Sequence, residues 1–228
     1  MIPWIQLGTA KVPGGGGDLR LMQRGGEFSI MAGPIALMNS RRSSSETQLA
    51  ELACNHLRER RNCRVLIGGY GMGFTLRAAL ARLRADARIS VAELVPAIVE
   101  WARGPMAELT ADCLDDPRVD VSVADVGDLI ASARASFDAI LLDVDNGPDG
   151  LSRNANDRLY TVRGLRAARE SLRPKGVLAI WSAAPDREFV SRLGRAGFTV
   201  EEIKARANNG RGGRHVIWTA TKKAGTVG

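Results

Sequence analysis

Apolar positions along this chain fall into two rhythms. Short, mostly apolar runs occupy residues 64–67, 89–92, 119–123, 137–142 and 177–181. Between them apolar side chains recur every three or four positions: Leu76, Leu80 and Leu83; Ile98, Trp101, Ala102 and Leu109; then segments 126–133, 159–172 and 185–194. Continuous apolar runs suit strands covered on both faces, and the helical recurrence suits the elements that cover them. The alternation of the two predicts a Rossmann-like α/β sheet. Two closing runs, 198–204 and 215–220, flank the glycine-rich stretch 208–213 and predict a hairpin, which makes the last strand antiparallel to its neighbours.

Ahead of this sheet the pattern is different. Residues 19–22, 27–31 and 35–38 are short strand candidates separated by Gly25-Gly26 and Gly33-Pro34, and 11–18, with four consecutive glycines, reads as a loop. The division is a small β-hairpin unit over 1–42 and a main domain over 43–228. Ser43 and Glu46 have the spacing of a capping box, which would open a helix carrying Leu49, Leu52, Ala53 and Leu57. Pro96 suits a helix start, and Arg173-Pro174-Lys175-Gly176 reads as a helix stop.

Composition narrows the class. The chain has 228 residues, 45% hydrophobic and 25% charged, as expected of one globular α/β domain with a small appendage. No apolar run approaches the ~20 residues of a membrane span, and residues 1–18 lack the basic start and apolar core of a signal peptide. Cys54, Cys63 and Cys113 are an odd count without metal-ligand spacing, so a reduced, cytoplasmic protein without a bound metal is expected. The net charge of +7 permits an anionic partner without requiring one. Its one local excess is Lys204, Arg206, Arg211, Arg214, Lys222 and Lys223 against Glu201 and Glu202, read as solvated surface in preference to a nucleic-acid contact. His56 reads as a surface or core histidine.

The chemistry concentrates where strands end. Gly68-Gly69-Tyr70-Gly71-Met72-Gly73 follows the first strand of the main sheet, and Glu93 lies about 20 residues further on, at the end of the second. A glycine turn lets backbone approach a ligand, and an acid so placed can accept both ribose hydroxyls. Asp125 and Asp143 end the third and fourth strands, and ligands of open parallel sheets lie outside such ends. Asp125 could take an adenine amine and Asp143 the reacting group; each could instead cap a turn. A polar loop with Asp145, Asn146 and Asp149 follows.

The segments VLIGGYGMG, VAELVPAIVEWA, DDPRVDVSVAD, FDAILLDVDNGP and LRPKGVLAIWS resemble the spermidine synthase group of class I S-adenosylmethionine-fold transferases. The resemblance runs from about residue 19 to residue 220. It implies a seven-stranded methyltransferase-type sheet with an antiparallel last strand, and S-adenosylmethionine or its decarboxylated form as the alkyl donor. Gly68, Gly69, Gly71 and Gly73 would surround the methionine-derived portion, Glu93 the ribose and Asp125 the adenine. Asp143 would be the general base, with Asp145, Asn146 and Tyr160 toward a small amine-type acceptor. A homodimer through the N-terminal unit is also implied. The chain departs from the family pattern at Gly71, where an acid is usual inside the glycine turn. It departs again at Asn146, where a second aspartate is usual, and at Asn39-Ser40-Arg41, where a glutamine is expected. Aminopropyl transfer, methyl transfer to a small molecule (with Asp143, Asp145 and Asn146 as metal ligands in one variant) and a non-catalytic nucleoside sensor therefore stay open. An NAD oxidoreductase shares the turn and the acid, but the closing antiparallel pair and Asp125 favour the sulfonium donor.

Overall fold

The computed structural model of the chain describes residues 2–14, 17–144, 158–208 and 211–222. Four strands form a small antiparallel sheet in sequential order: β1 (Ile5–Lys11), β2 (Asp18–Arg24), β3 (Glu27–Ala32) and β4 (Ile35–Asn39). The sequence pattern pointed to β2, β3 and β4 and missed β1. Most of the β1 side chains are exposed, so no buried face marks it in the sequence.

The main sheet has seven strands: β5 (Arg64–Gly68), β6 (Arg88–Glu93), β7 (Val119–Val123), β8 (Phe137–Leu142), β9 (Leu172–Ser182), β10 (Phe198–Asn208) and β11 (Arg211–Lys222). Their spatial order is β7-β6-β5-β8-β9-β11-β10, and β11 is antiparallel to both β9 and β10. Strand order therefore reverses between β5 and β8, where a ligand crevice opens in folds of this kind. The seven-stranded sheet with its antiparallel β11 is the architecture expected from the sequence.

Successive residues of the central strands point to opposite faces. Val65, Ile67, Ile89, Val91, Ala139 and Leu141 join one core with α1 (Ser44–Cys54), α2 (Phe74–Arg82) and α3 (Pro96–Arg103). Leu66, Ile140, Leu142, Leu178, Ile180 and Trp218 join the other, under α5 (Val126–Ser132), α6 (Val162–Ser171) and α7 (Arg187–Arg195). Apolar side chains on both faces explain why these strands read as unbroken hydrophobic runs.

Three local expectations need correction. The helix read through Leu109 breaks at Gly104-Pro105, and a separate turn, α4 (Ala107–Thr110), follows. Proline lacks the N–H that would continue the ladder, and its ring clashes with the carbonyl four residues back. Arg173-Pro174-Lys175-Gly176 does not simply stop a helix but bulges out of β9. Phe137 pairs with Leu172 and Ala139 with Val177, and Lys175 takes a φ of +66°. The capping box does not form either. Ser43 has φ −125° and ψ −4°, away from the extended geometry that aims a cap oxygen at the helix, and its side chain makes no cap bond. Glu46 is thereby free to point elsewhere.

Candidate active site

Between the small sheet and the carboxyl ends of β5, β6, β7 and β8 lies a cleft of about 360 Å³. Residues of β2, β3 and β4 roof it, including Leu19, Ala32, Ile35 and Met38. Its floor is the glycine turn after β5, from which Gly69, Tyr70, Gly71 and Met72 line the space. The three acids expected at strand tips, Glu93, Asp125 and Asp143, all line it. A fourth acid, Glu46, joins them from the first turn of α1.

Gly68 and Gly73 are outside this lining, and protein packing accounts for both: a Cβ would meet Val126 at 2.9 Å in the first case and the Tyr70 hydroxyl at 2.7 Å in the second. Gly69 is a sharper case. Its φ is +84°, and a Cβ there would come within 2.4 Å of the Asp143 carbonyl oxygen. The glycine turn thus lets the tips of β5 and β8 approach, and the Asp143 N–H donates to the Gly68 carbonyl at 2.9 Å. At Gly71, also with positive φ, the space of a Cβ is taken by the Met38 sulfur at 2.9 Å.

The acids differ in what surrounds them. Glu93 is buried and accepts the Tyr70 N–H on Oε2 and the Val95 N–H on Oε1, each at 2.9 Å. Burial raises its proton affinity, and these amide bonds offset part of the rise. The Gly71 and Leu94 amides also face this carboxylate and favour its ionised form. Asp125 caps α5 by accepting the Gly127 N–H at 2.7 Å, and its other oxygen takes Arg158 at 2.8 Å. The capping reading and the cleft reading therefore both hold for this residue.

Among the described residues, Asp143 has the poorest donor set. Its Oδ2 accepts the Thr75 hydroxyl at 2.7 Å. Burial, together with the negative charge of nearby Glu46, pushes its carboxyl up to about 7, and the bond from Thr75 only partly opposes this. Glu46 is likewise raised by burial, against a bond from the Ser45 hydroxyl at 2.7 Å. Beyond Ser45, the ring of His215 on β11 places Nδ1 at 3.1 Å from the same hydroxyl. That ring lies edge-on to Trp181, which lines the cleft, with centroids 4.7 Å apart. Glu46 and His215 were not singled out in the sequence, Glu46 because its spacing from Ser43 imitated a helix cap.

The remaining site expectations divide. Tyr160, expected toward the acceptor, is buried in the second core, edge-on to Phe189 with centroids at 5.6 Å, and is not among the cleft-lining residues. An aromatic residue opening a helix gave no sign of which way it would face. Asp145, Asn146 and Asp149 lie outside the described residues. So do Lys223 and the side chains of Arg206, Arg211 and Arg214 of the basic tail, while Lys222 donates to the Leu172 carbonyl at 2.7 Å. Asn39 lines the cleft, and its amide donates to Glu27 at 2.9 Å. His56 is exposed, as its isolation in sequence suggested.

The sequence profile of the Spermine/spermidine synthase domain matches residues 45–188, which contain the glycine turn and all four acids. The chain belongs to that family. Curated spermidine-synthase-type relatives include polyamine aminopropyltransferase 1 of Streptomyces coelicolor, 35% identical over 123 residues, covering 53% of this chain and 22% of the relative. The polyamine aminopropyltransferase of Mycobacterium tuberculosis H37Rv is 30% identical over 145 residues, covering 60% of this chain and 27% of the relative. The matched region thus spans about a quarter of these relatives' length. Among solved structures, spermidine synthase from Thermotoga maritima superposes with a TM-score of 0.75 at 17% identity, covering 95% of this chain and 72% of that one. A spermidine synthase in complex with the transition state analogue AdoDATO gives 0.71 at 16% identity, with the same coverage. The spermidine synthase fold therefore extends through the small N-terminal sheet as well as the matched domain. No helix among the described residues is long and apolar enough to cross a membrane.

Proposed function

We propose that the chain transfers an aminopropyl group from decarboxylated S-adenosylmethionine to the nitrogen of a small amine. The observation that carries this is Asp143: a carboxylate at the tip of a central strand, lining the cleft and poised at about 7. A general base works best when its pKa lies near the operating pH. The names of the curated relatives, polyamine aminopropyltransferases, support the same reading.

The amine arrives as an ammonium, which has no lone pair to attack with. Asp143 takes one of its protons. The freed nitrogen attacks the methylene bonded to the sulfonium; the C–N bond forms as the C–S bond breaks, and its electron pair passes to sulfur, which leaves as a neutral thioether. Glu93, which lines the cleft, would hold the ribose hydroxyls, and Asp125 the adenine amine. Gly69 and Gly71 would pass beside the aminopropyl chain. Asp145 and Asn146 keep their expected roles toward the acceptor as part of the same proposal.

Methyl transfer from ordinary S-adenosylmethionine is the second reading. It is favoured by Met38, whose sulfur fills the space beside Gly71 where the family pattern has an acid. Mass spectrometry of the nucleoside product with each donor and a panel of mono- and diamines separates the two. Thioether from the decarboxylated donor is the expected result, with Asp143→Asn abolishing turnover while calorimetric donor affinity stays within about threefold, as for loss of a base. Turnover of the ordinary donor alone would overturn aminopropyl transfer. Binding without turnover of either would leave a nucleoside sensor.

A homodimer through the small sheet belongs to the same proposal. Ile5 and Leu7 of β1 are large apolar side chains left exposed on it, outside the cleft lining. Sedimentation should give a dimer that Leu7→Glu dissociates; a monomer at all concentrations would remove this part.

A further inference from the structure

We propose that Glu46 is a second catalytic carboxylate of the cleft, paired with Asp143 to receive the proton lost by the amine, and that Ser45 and His215 carry that proton away. This rests on the transfer reaction proposed above. The reaction itself requires a proton exit. An ammonium and a sulfonium enter; a secondary ammonium, a neutral thioether and one proton leave. A single aspartate that has taken that proton must release it before the next turnover, in a cleft filled by ligand.

The route is set out by four side chains on three elements. Asp143 ends β8 and Glu46 faces the cleft from α1, close enough for its charge to act on Asp143. The Ser45 hydroxyl, 1% exposed, lies 2.7 Å from Glu46 Oε2 and 3.1 Å from His215 Nδ1. A hydroxyl between two such groups can accept a proton from one side while donating its own to the other. His215 is half-buried rather than enclosed, and it ends the chain of contacts. Burial and the charge of Arg42 both hold its imidazole below the usual histidine range, so it is neutral near pH 7 and able to accept. Trp181 packs against its ring. On the far side of the pair stands Thr75, whose hydroxyl bonds Asp143 and lies 3.5 Å from the Glu46 carbonyl. Among the described residues, the groups acting on the pair are thus Thr75, Ser45 and, through Ser45, His215 with Arg42.

Two carboxylates that line one cleft and act on each other's charge titrate as a unit, sharing a proton. Such a pair holds a bound ammonium and still has an ionised oxygen to take its proton. Glu46 also restores an acid to a cleft whose glycine turn has none.

The test uses the full chain with 13C-labelled carboxyl groups and two variants, Glu46→Gln and His215→Ala. NMR titration of the ligand-free protein should place the Asp143 carboxyl near neutral pH and move it toward the ordinary aspartate range in Glu46→Gln. An unmoved Asp143 titration overturns the pairing, whatever the turnover. In the transfer assay Glu46→Gln should lower kcat by about 10²-fold or more with donor affinity retained; wild-type kcat across the pH range overturns the role of Glu46. His215→Ala should slow turnover and regain it with added imidazole, which a merely structural role would not produce; Ser45→Ala gives the same slowing without the rescue. Turnover that is slowed but not rescued in His215→Ala, or unslowed in both, overturns the exit route. If the wild-type protein transfers nothing from either donor, the proposed reaction fails, and the carboxyl titration still decides the pairing.

Discussion

Replacing Asp143 by asparagine should make the protein more stable, and only above a particular pH. The folded protein raises this carboxyl from 3.8 to about 7, so it binds a proton more tightly than the unfolded chain does. The stabilising contribution of the protonated group is complete below pH 3.8 and is lost as pH climbs through about 7. At 1.36 kcal/mol for each tenfold change in proton affinity, the loss amounts to about 4 kcal/mol at pH 8. Water admitted by the open cleft screens part of this, so about 2–4 kcal/mol is expected. Asparagine has the same shape, keeps an oxygen for the Thr75 hydroxyl and never ionises. Urea unfolding of both proteins between about pH 4 and pH 8.5 should therefore give near-equal stability at the acid end. The asparagine variant should gain steadily through neutrality. A stability difference that stays constant across the range would show that the fold does not oppose ionisation at this position, and the assignment of Asp143 as a poised base would lose its physical ground. The same carboxylate that weakens the fold at pH 8 is the one asked to accept a proton.

Three further substitutions test the frame around it. Gly69→Ala places a Cβ 2.4 Å from the Asp143 carbonyl oxygen at a φ of +84°, so left-handed strain of about 1–2 kcal/mol adds to displaced backbone; thermal melts should show a loss of at least that size, with weakened donor binding. Glu93→Gln keeps the volume but turns an amide NH2 toward either the Tyr70 or the Val95 N–H; donor facing donor should cost about 1–3 kcal/mol by urea unfolding, and calorimetry should show donor affinity falling at least tenfold. Asp138→Asn removes the buried charge that meets Arg60 and Arg173, each at 2.9 Å, while leaving an oxygen for the Arg64 N–H. Both arginines are partly exposed and can turn to water, so urea unfolding should show about 2–3 kcal/mol, at or below the low end for a broken buried pair.

The elements that could be read in the sequence are those whose burial leaves a periodic trace. Strands β5, β6, β8 and β9 have apolar side chains on both faces, and the helices over them repeat at helical spacing, so the sheet, its antiparallel closure and the acids at its tips followed from pattern alone. Strand β1 has no buried face and left no trace. The bulge at residues 173–176 looked like a turn because proline and glycine mark both, and only pairing with β8 distinguishes them. Asp138 is a fully buried acid inside an apolar strand, held by Arg60 and Arg173 from distant parts of the chain. Long-range partners of this kind have no local signature. Glu46 was hidden by a stronger failure: a helix-capping pattern was present, but the backbone at Ser43 did not take the conformation that would use it.

Under the proposed transfer, which acid reacts is likewise decided by neighbours rather than by motif. Glu93, Asp125 and Asp143 lie at or just beyond the carboxyl ends of β6, β7 and β8, and sequence spacing treats them alike. Glu93 is held by two backbone amides, and Asp125 by an amide and a guanidinium. Donors of this kind fix the direction in which a carboxylate presents its oxygens, which suits a group that must grip neutral hydroxyls or an amine. Among the described residues, Asp143 has a single hydroxyl donor and a like charge beside it. Burial and that like charge both oppose its ionisation, and a cation arriving in the cleft relieves them by pairing with it. The proton of that cation then has a receptive oxygen at hand. Division of labour among the three carboxylates thus follows from the number and charge of the groups facing each one.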